Sequence, residues 1–124
     1  MHSLTIAIVE DDEITLDMIT VALEDRLDAT VYSFSRSRQA AEFLVKQNKD
    51  SLNLIITDKN MPDIDGFQLL SVCQRAGLKV PALMITADAD LVTVLTARKA
   101  GVVGFLAKPV VIDHLLEKVQ EIIT

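Results

Sequence analysis

Four short apolar runs and one β-branched and aromatic run, each followed by a stretch with helical spacing, limit what this chain can fold into. The runs are Leu4 to Val9, Thr30 to Phe34, Leu52 to Ile56, Val80 to Thr86 and Val102 to Ala107. Runs of this length, bounded by turn residues, read as strands. The third carries on to Asp58, where Met61-Pro62 and Asp65-Gly66 turn the chain into a loop. An acid at the tip of a buried strand, on a loop that cannot be helical, is placed for chemistry rather than for solubility.

The stretches between the runs have helical spacing. From Glu13, a polar stripe of Glu13, Asp17, Thr20 and Glu24 opposes Ile14, Met18, Ile19, Ala22 and Leu23. Ser37 is expected to cap a second helix with Ala41, Leu44 and Val45 on its apolar side. A third helix starts at Gly66 and ends at Gly77, placed as a left-handed cap. Asp88 or Asp90 caps a fourth, from Leu91 to Ala100 and closed by Gly101. The last carries Ile112, Leu115, Leu116, Val119, Ile122 and Ile123 at helical spacing.

The order is (βα) five times. Strands joined through helices run parallel, and right-handed crossovers put helices on both faces. The expected fold is a three-layer α/β sandwich with a five-stranded parallel sheet, in the flavodoxin-like order 2-1-3-4-5. The polar second strand, TVYSF, then falls at a sheet edge. The 124 residues make one domain, residues 1–124, since two would be too small for proper cores.

Composition removes several function classes. The net charge of -6 argues against direct nucleic-acid binding, which needs a basic face. No stretch reaches the ~18 apolar residues of a membrane span, and no signal peptide is expected. Cys73 is the single cysteine, which excludes an intramolecular disulfide and a cysteine-based metal site. A reducing, cytoplasmic setting fits. Cys73 reads as a small hydrophobe, and His2 and His114 read as surface residues.

In such sheets ligands bind beyond the carboxyl ends of the strands, where the strand order reverses. Glu10 and Asp11 follow the first strand there, and Asp58 ends the third. Thr86 and Lys108 end the fourth and fifth on the same rim. Carboxylates about 5 Å apart repel by roughly 3 kcal/mol per pair at an effective dielectric of ~20. Such a cluster takes up protons or binds a cation, and Mg²⁺ suits oxygen ligands of this kind. A nucleophilic carboxylate, a divalent cation, an ammonium and a hydroxyl are the parts needed to accept a phosphoryl group.

On the acid pair Glu10-Asp11, the segment Asp58…Met61-Pro62…Asp65-Gly66, Thr86-Ala87, Phe105 and Lys108-Pro109, the chain resembles the receiver domain of bacterial two-component response regulators. The likeness covers nearly the whole length. It implies that Asp58 is phosphorylated by a histidine kinase or histidine phosphotransfer protein. It implies Mg²⁺ on Asp11 and Asp58, with Glu10 contributing through water and the Asn60 carbonyl completing the protein ligands. Lys108 would bind the phosphoryl group, while Thr86 and Phe105 would switch the face of the fourth helix, fifth strand and fifth helix. The Lys108-Pro109 bond would be cis. A homodimer, or a downstream output domain or protein, is compatible with that face. The activity implied is self-catalysed phosphorylation and dephosphorylation, not turnover as an enzyme.

Two features depart from the commonest pattern. The acid pair is Glu-Asp rather than Asp-Asp; a slip of one residue would make it Asp11-Asp12, but Val9 ends the apolar run and favours Glu10-Asp11. The segment from Asp11 to Asp58 is also somewhat long. An aspartyl-phosphate phosphatase of the haloacid-dehalogenase type is the alternative, but Asn60 stands where such enzymes use a general acid. A flavodoxin-like cofactor carrier lacks its phosphate loop here, because acids follow the first strand.

Overall fold

The computed structural model describes residues 3–124; His2 lies outside them. The elements are β1 (Thr5–Val9), α1 (Glu13–Leu27), β2 (Thr30–Phe34), α2 (Ser37–Leu44) and β3 (Leu54–Asp58), then α3 (Gly66–Arg75), β4 (Ala82–Thr86), α4 (Leu91–Lys99), β5 (Val102–Ala107) and α5 (Ile112–Ile123). All neighbouring strands pair in parallel, in the order β2-β1-β3-β4-β5. The flavodoxin-like three-layer expectation holds, and the polar β2 is an edge.

Strand periodicity divides the core. Ile6, Ile8, Ile56, Leu83 and Ile85 face α1 and α5, meeting Leu16, Ile19, Leu115 and Val119. The alternate residues Ala7, Val9, Ile55 and Met84 face the other way, against Ala40, Leu44, Leu69 and Ala97. Side chains two apart share a face and neighbours oppose, so apolar runs without alternation must be covered on both sides.

Local chemistry sets the helix ends. Asp12, Asp65 and Asp90 each accept from the backbone amide three residues on, at 3.1, 2.8 and 2.8 Å. Asp90 rather than Asp88 therefore caps α4. At the end of α3, Leu78 N–H donates to the Cys73 carbonyl and Gly77 N–H to that of Gln74, with Gly77 at φ 83°. This paired closure needs a left-handed residue, which glycine adopts without a Cβ penalty. Lys108-Pro109 is cis, as expected.

Two expectations need correction. Ile14 and Met18 are 81% and 40% exposed, and the buried stripe of α1 is Leu16, Ile19 and Leu23. Apolar residues surround this helix, so spacing alone allows more than one phase. Ser37 is not a cap: Arg36 holds that position without a side-chain bond, and the buried face of α2 is Ser37, Ala40 and Leu44. Val45, beyond the last helical residue, is exposed. In α5, Leu115, Leu116 and Val119 are buried, but Ile123 is exposed. His114 is exposed and Cys73 is buried, as read from the sequence. Among the described residues no helix is long and apolar enough to cross a membrane.

Candidate functional site

Strand register gathers the site. Val9 pairs with Thr57, Asp58 with Ile85, and Thr86 with Ala107. Glu10, Asp58, Thr86 and Lys108 thus leave the sheet at one end and in step. The loop after Asp58 is folded back tightly. Gly66 N–H donates to the Lys59 carbonyl at 2.8 Å, and a Cβ on Gly66 would overlap the Asp58 carbonyl oxygen. Only glycine lets α3 start this close to the end of β3.

Glu10, Asp11 and Asp58 each turn a carboxylate oxygen to one point, with those oxygens within 4.8 Å of one another. Glu10 and Asp58 are buried, while Asp11 is exposed. Asp12 lies outside the group and caps α1 through Thr15, which resolves the acid pair as Glu10-Asp11. Lys108 Nζ lies 2.8 Å from Asp58 Oδ2, with a hydrogen bond, and 3.2 Å from Glu10 Oε1. The Glu10 contact is one of charge without hydrogen-bond geometry: neither carboxylate oxygen of Glu10 has a hydrogen-bond partner among the described residues.

Burial dominates the electrostatics. It pushes the Glu10 carboxyl from 4.5 up to about 8, and the adjacent Asp58 adds to the rise against the opposing Lys108. Burial would raise Asp58 as well. There, the neighbouring Glu10 carboxyl and the Lys108 ammonium outweigh it and hold the carboxyl below its usual range. For Lys108, desolvation opposes the charge but the Asp58 and Glu10 carboxylates prevail and raise its pKa. Fully ionised, the three acids and one ammonium leave two negative charges uncompensated. Unpartnered buried oxygens, hard donors and a double negative charge fit a small divalent cation.

The remaining expected residues take different positions. Thr86 is buried at the end of β4, and its Oγ1 accepts from the Asp88 amide at 2.9 Å, so the hydroxyl is engaged with the β4–α4 connection. Asn60 is exposed in the loop after Asp58. Phe105 is half-buried on β5, packed against the core on the α2, α3 and α4 side. Two contacts escaped sequence reasoning. Lys59 Nζ donates to Thr93 Oγ1 at 3.0 Å, tying the residue after Asp58 to α4. Ser37 Oγ donates to the Pro62 carbonyl at 2.9 Å, tying α2 to the same loop. Neither has a local sequence signal, since each partner is more than 20 residues away.

A family model described as the response regulator receiver domain matches residues 6–120. The two-component response regulator ARR10 of Arabidopsis thaliana is 33% identical over 117 residues, 93% of this chain and 20% of that protein. The chain thus spans about a fifth of the length of such curated relatives. The solved structure of the chemotaxis protein CheY4 of Vibrio cholerae superposes with a TM-score of 0.86 at 25% identity, covering 98% of this chain and 99% of that one. The receiver domain of Ssk1 from Saccharomyces cerevisiae, crystallised with the histidine phosphotransfer protein Ypd1, has a TM-score of 0.83. At 20% identity, over 98% of this chain and 89% of that one, it speaks to the fold alone. With a plant protein among them, the relatives extend beyond bacteria.

Proposed function

Because the chain belongs to the response regulator receiver domain family, we propose that residues 1–124 act as one phosphoacceptor unit of two-component signalling, with Asp58 as the acceptor. The observation that carries this reading is Asp58 itself: buried, held ionised, beside Glu10 and Asp11 and 2.8 Å from the Lys108 ammonium. The donor is a phosphohistidine of a histidine kinase or a histidine phosphotransfer protein; the pairing of Ssk1 with Ypd1 is of that kind. An Asp58 carboxylate oxygen attacks phosphorus, the P–N bond breaks, and the imidazole leaves with its electron pair. An ionised carboxylate needs no general base for this step.

Glu10, Asp11, Asp58 and the Asn60 carbonyl would hold Mg²⁺, with Glu10 acting through water. When bound, the cation neutralises charge on the group being transferred. The Lys108 ammonium, 2.8 Å from Asp58 Oδ2, neutralises charge on the same group. Water attack on the acyl phosphate resets Asp58, so the chain cycles without being an enzyme on other substrates.

The switch follows from Thr86. Its hydroxyl accepts from the Asp88 amide and, once Asp58 is phosphorylated, turns to the phosphoryl group. The β4–α4 connection then loses a restraint, and Phe105 on β5 turns inward. The α4, β5 and α5 face carries exposed Leu91, Leu95, Val103 and Val111, apolar surface suited to a second copy or a downstream output partner. Phosphorylation favours one of two arrangements of this face. A cytoplasmic setting matches the donors. The test is the stoichiometry of phosphoryl uptake in wild type and Asp58→Asn. One group per chain, lost in the variant, is expected; equal labelling of both, or multiple turnover on phosphomonoesters, would remove the reading.

A further inference from the structure

Ser37 is the first residue of α2, yet its side chain does not cap that helix. It is 2% exposed, and a buried hydroxyl needs partners. It finds them far away in sequence. Oγ donates to the Pro62 carbonyl at 2.9 Å and accepts from the Ile64 amide at 3.3 Å, over separations of 25 and 27 residues. These partners bracket Asp63, which stands at φ 71°, a region disfavoured for any residue with a Cβ. Arg38 also approaches Asp63 at 4.0 Å, between side chains 70% and 57% exposed, a weak restraint, and Met61 and Ile64 pack against the core. The hydroxyl of Ser37 is a buried hydrogen-bonding clasp from α2 onto the loop between β3 and α3.

That loop carries Asn60. We infer that Ser37 is a positioning residue for the cation site, holding through Pro62 and Ile64 the segment that supplies the Asn60 carbonyl. The inference rests on the reading of the site given above. Mg²⁺ demands near-octahedral geometry at ~2.0–2.1 Å, so a backbone donor on a loose loop binds it poorly. Partners behind the direct ligands commonly change metal affinity by about 10- to 100-fold when removed. Ser37 stands two links behind, through Pro62 to Asn60, so the lower end of that range applies.

The experiment is Mg²⁺ titration calorimetry on wild type, Ser37→Ala, Ser37→Thr and Ala40→Gly, with amide hydrogen exchange of Ile64 followed in metal-free protein. Ala40 is buried on the same helix and its methyl group makes no hydrogen bond, so Ala40→Gly loosens α2 and leaves the two Ser37 hydrogen bonds in place. Ser37→Ala is expected to weaken Mg²⁺ about tenfold and to speed exchange at Ile64. Ser37→Thr, which keeps the hydroxyl, should recover most of the affinity, and Ala40→Gly should bind as wild type does. Wild-type affinity in Ser37→Ala would overturn the inference alone. Equal loss in Ser37→Ala and Ala40→Gly would also overturn it, by reducing Ser37 to a stability role. Absence of Mg²⁺ binding in wild type would overturn the site reading and this inference together.

Discussion

At the residue scale the site is an electrostatic conflict held in place by the fold. Glu10 is fully buried without a hydrogen-bond partner among the described residues, and burial lifts its carboxyl to about 8. The folded state therefore binds a proton that the unfolded chain releases above its usual 4.5. Stability from that proton is complete below about 4.5 and is lost as pH rises through about 8. Asp58 has the opposite sign: its lowered pKa contributes stability above 3.8 that is lost as pH falls through its folded value. Metal-free protein should thus be most stable on the acid side of neutral. Urea midpoints in chelator should fall from pH 5.5 to pH 8.5, and Glu10→Gln should flatten that fall. Parallel slopes in the two proteins would contradict the assignment. Glu10, Asp11, Asp58 and Lys108 were legible in the sequence because each follows an apolar run, and parallel topology sends those ends to one rim. Ser37 was not, because a serine ahead of a helix reads locally as a cap, whereas its partners lie across the fold.

At the element scale, two glycines flank α3 for different reasons. Gly66 is required by a close approach, since a Cβ would strike the Asp58 carbonyl. Gly77 is required by its φ of 83°, with nothing within 4 Å of a built Cβ. Gly77→Ala should cost roughly 1–2 kcal/mol through the backbone alone and leave Mg²⁺ affinity unchanged. Gly66→Ala should cost about 1–3 kcal/mol by overpacking and also weaken Mg²⁺, because the displaced atoms belong to Asp58 and Lys59. Urea denaturation with metal titration separates the two, and equal metal affinity in both variants would contradict the distinction. Asp65→Ala, which opens the capping box with Gln68, should cost about 1 kcal/mol. Strand positions, the edge strand and the left-handed cap at Gly77 were readable from apolar runs and from glycine placement, whereas the left-handed Asp28 that ends α1 was not. The face of α1 was not, because Leu16, Met18, Ile19, Val21 and Leu23 cover more than one side of the helix. Its burial is decided by β1, β2 and α5, which no local window contains.

At the scale of the whole molecule, one sheet covered on both faces carries the site at one rim and most of its core beneath. Cys73 reports on that core. It is 2% exposed, and burial raises its thiol to about 11. Its modification by a thiol reagent at pH 8 should be slow in the folded chain and should accelerate only through the global urea transition. Rapid reaction without denaturant would show that α3 opens independently. The overall topology was legible because parallel βα units allow few arrangements, and the polar TVYSF segment selects β2 as an edge. The most direct test of the central claim is the intact mass of the chain after incubation with a small acyl-phosphate donor, with Mg²⁺ and with chelator. The prediction is a gain of one phosphoryl group in wild type that disappears with chelator and in Asp58→Asn. A gain of the same size without Mg²⁺ or without Asp58, or no gain in wild type from this donor or from a phosphorylated histidine phosphotransfer protein, would contradict it.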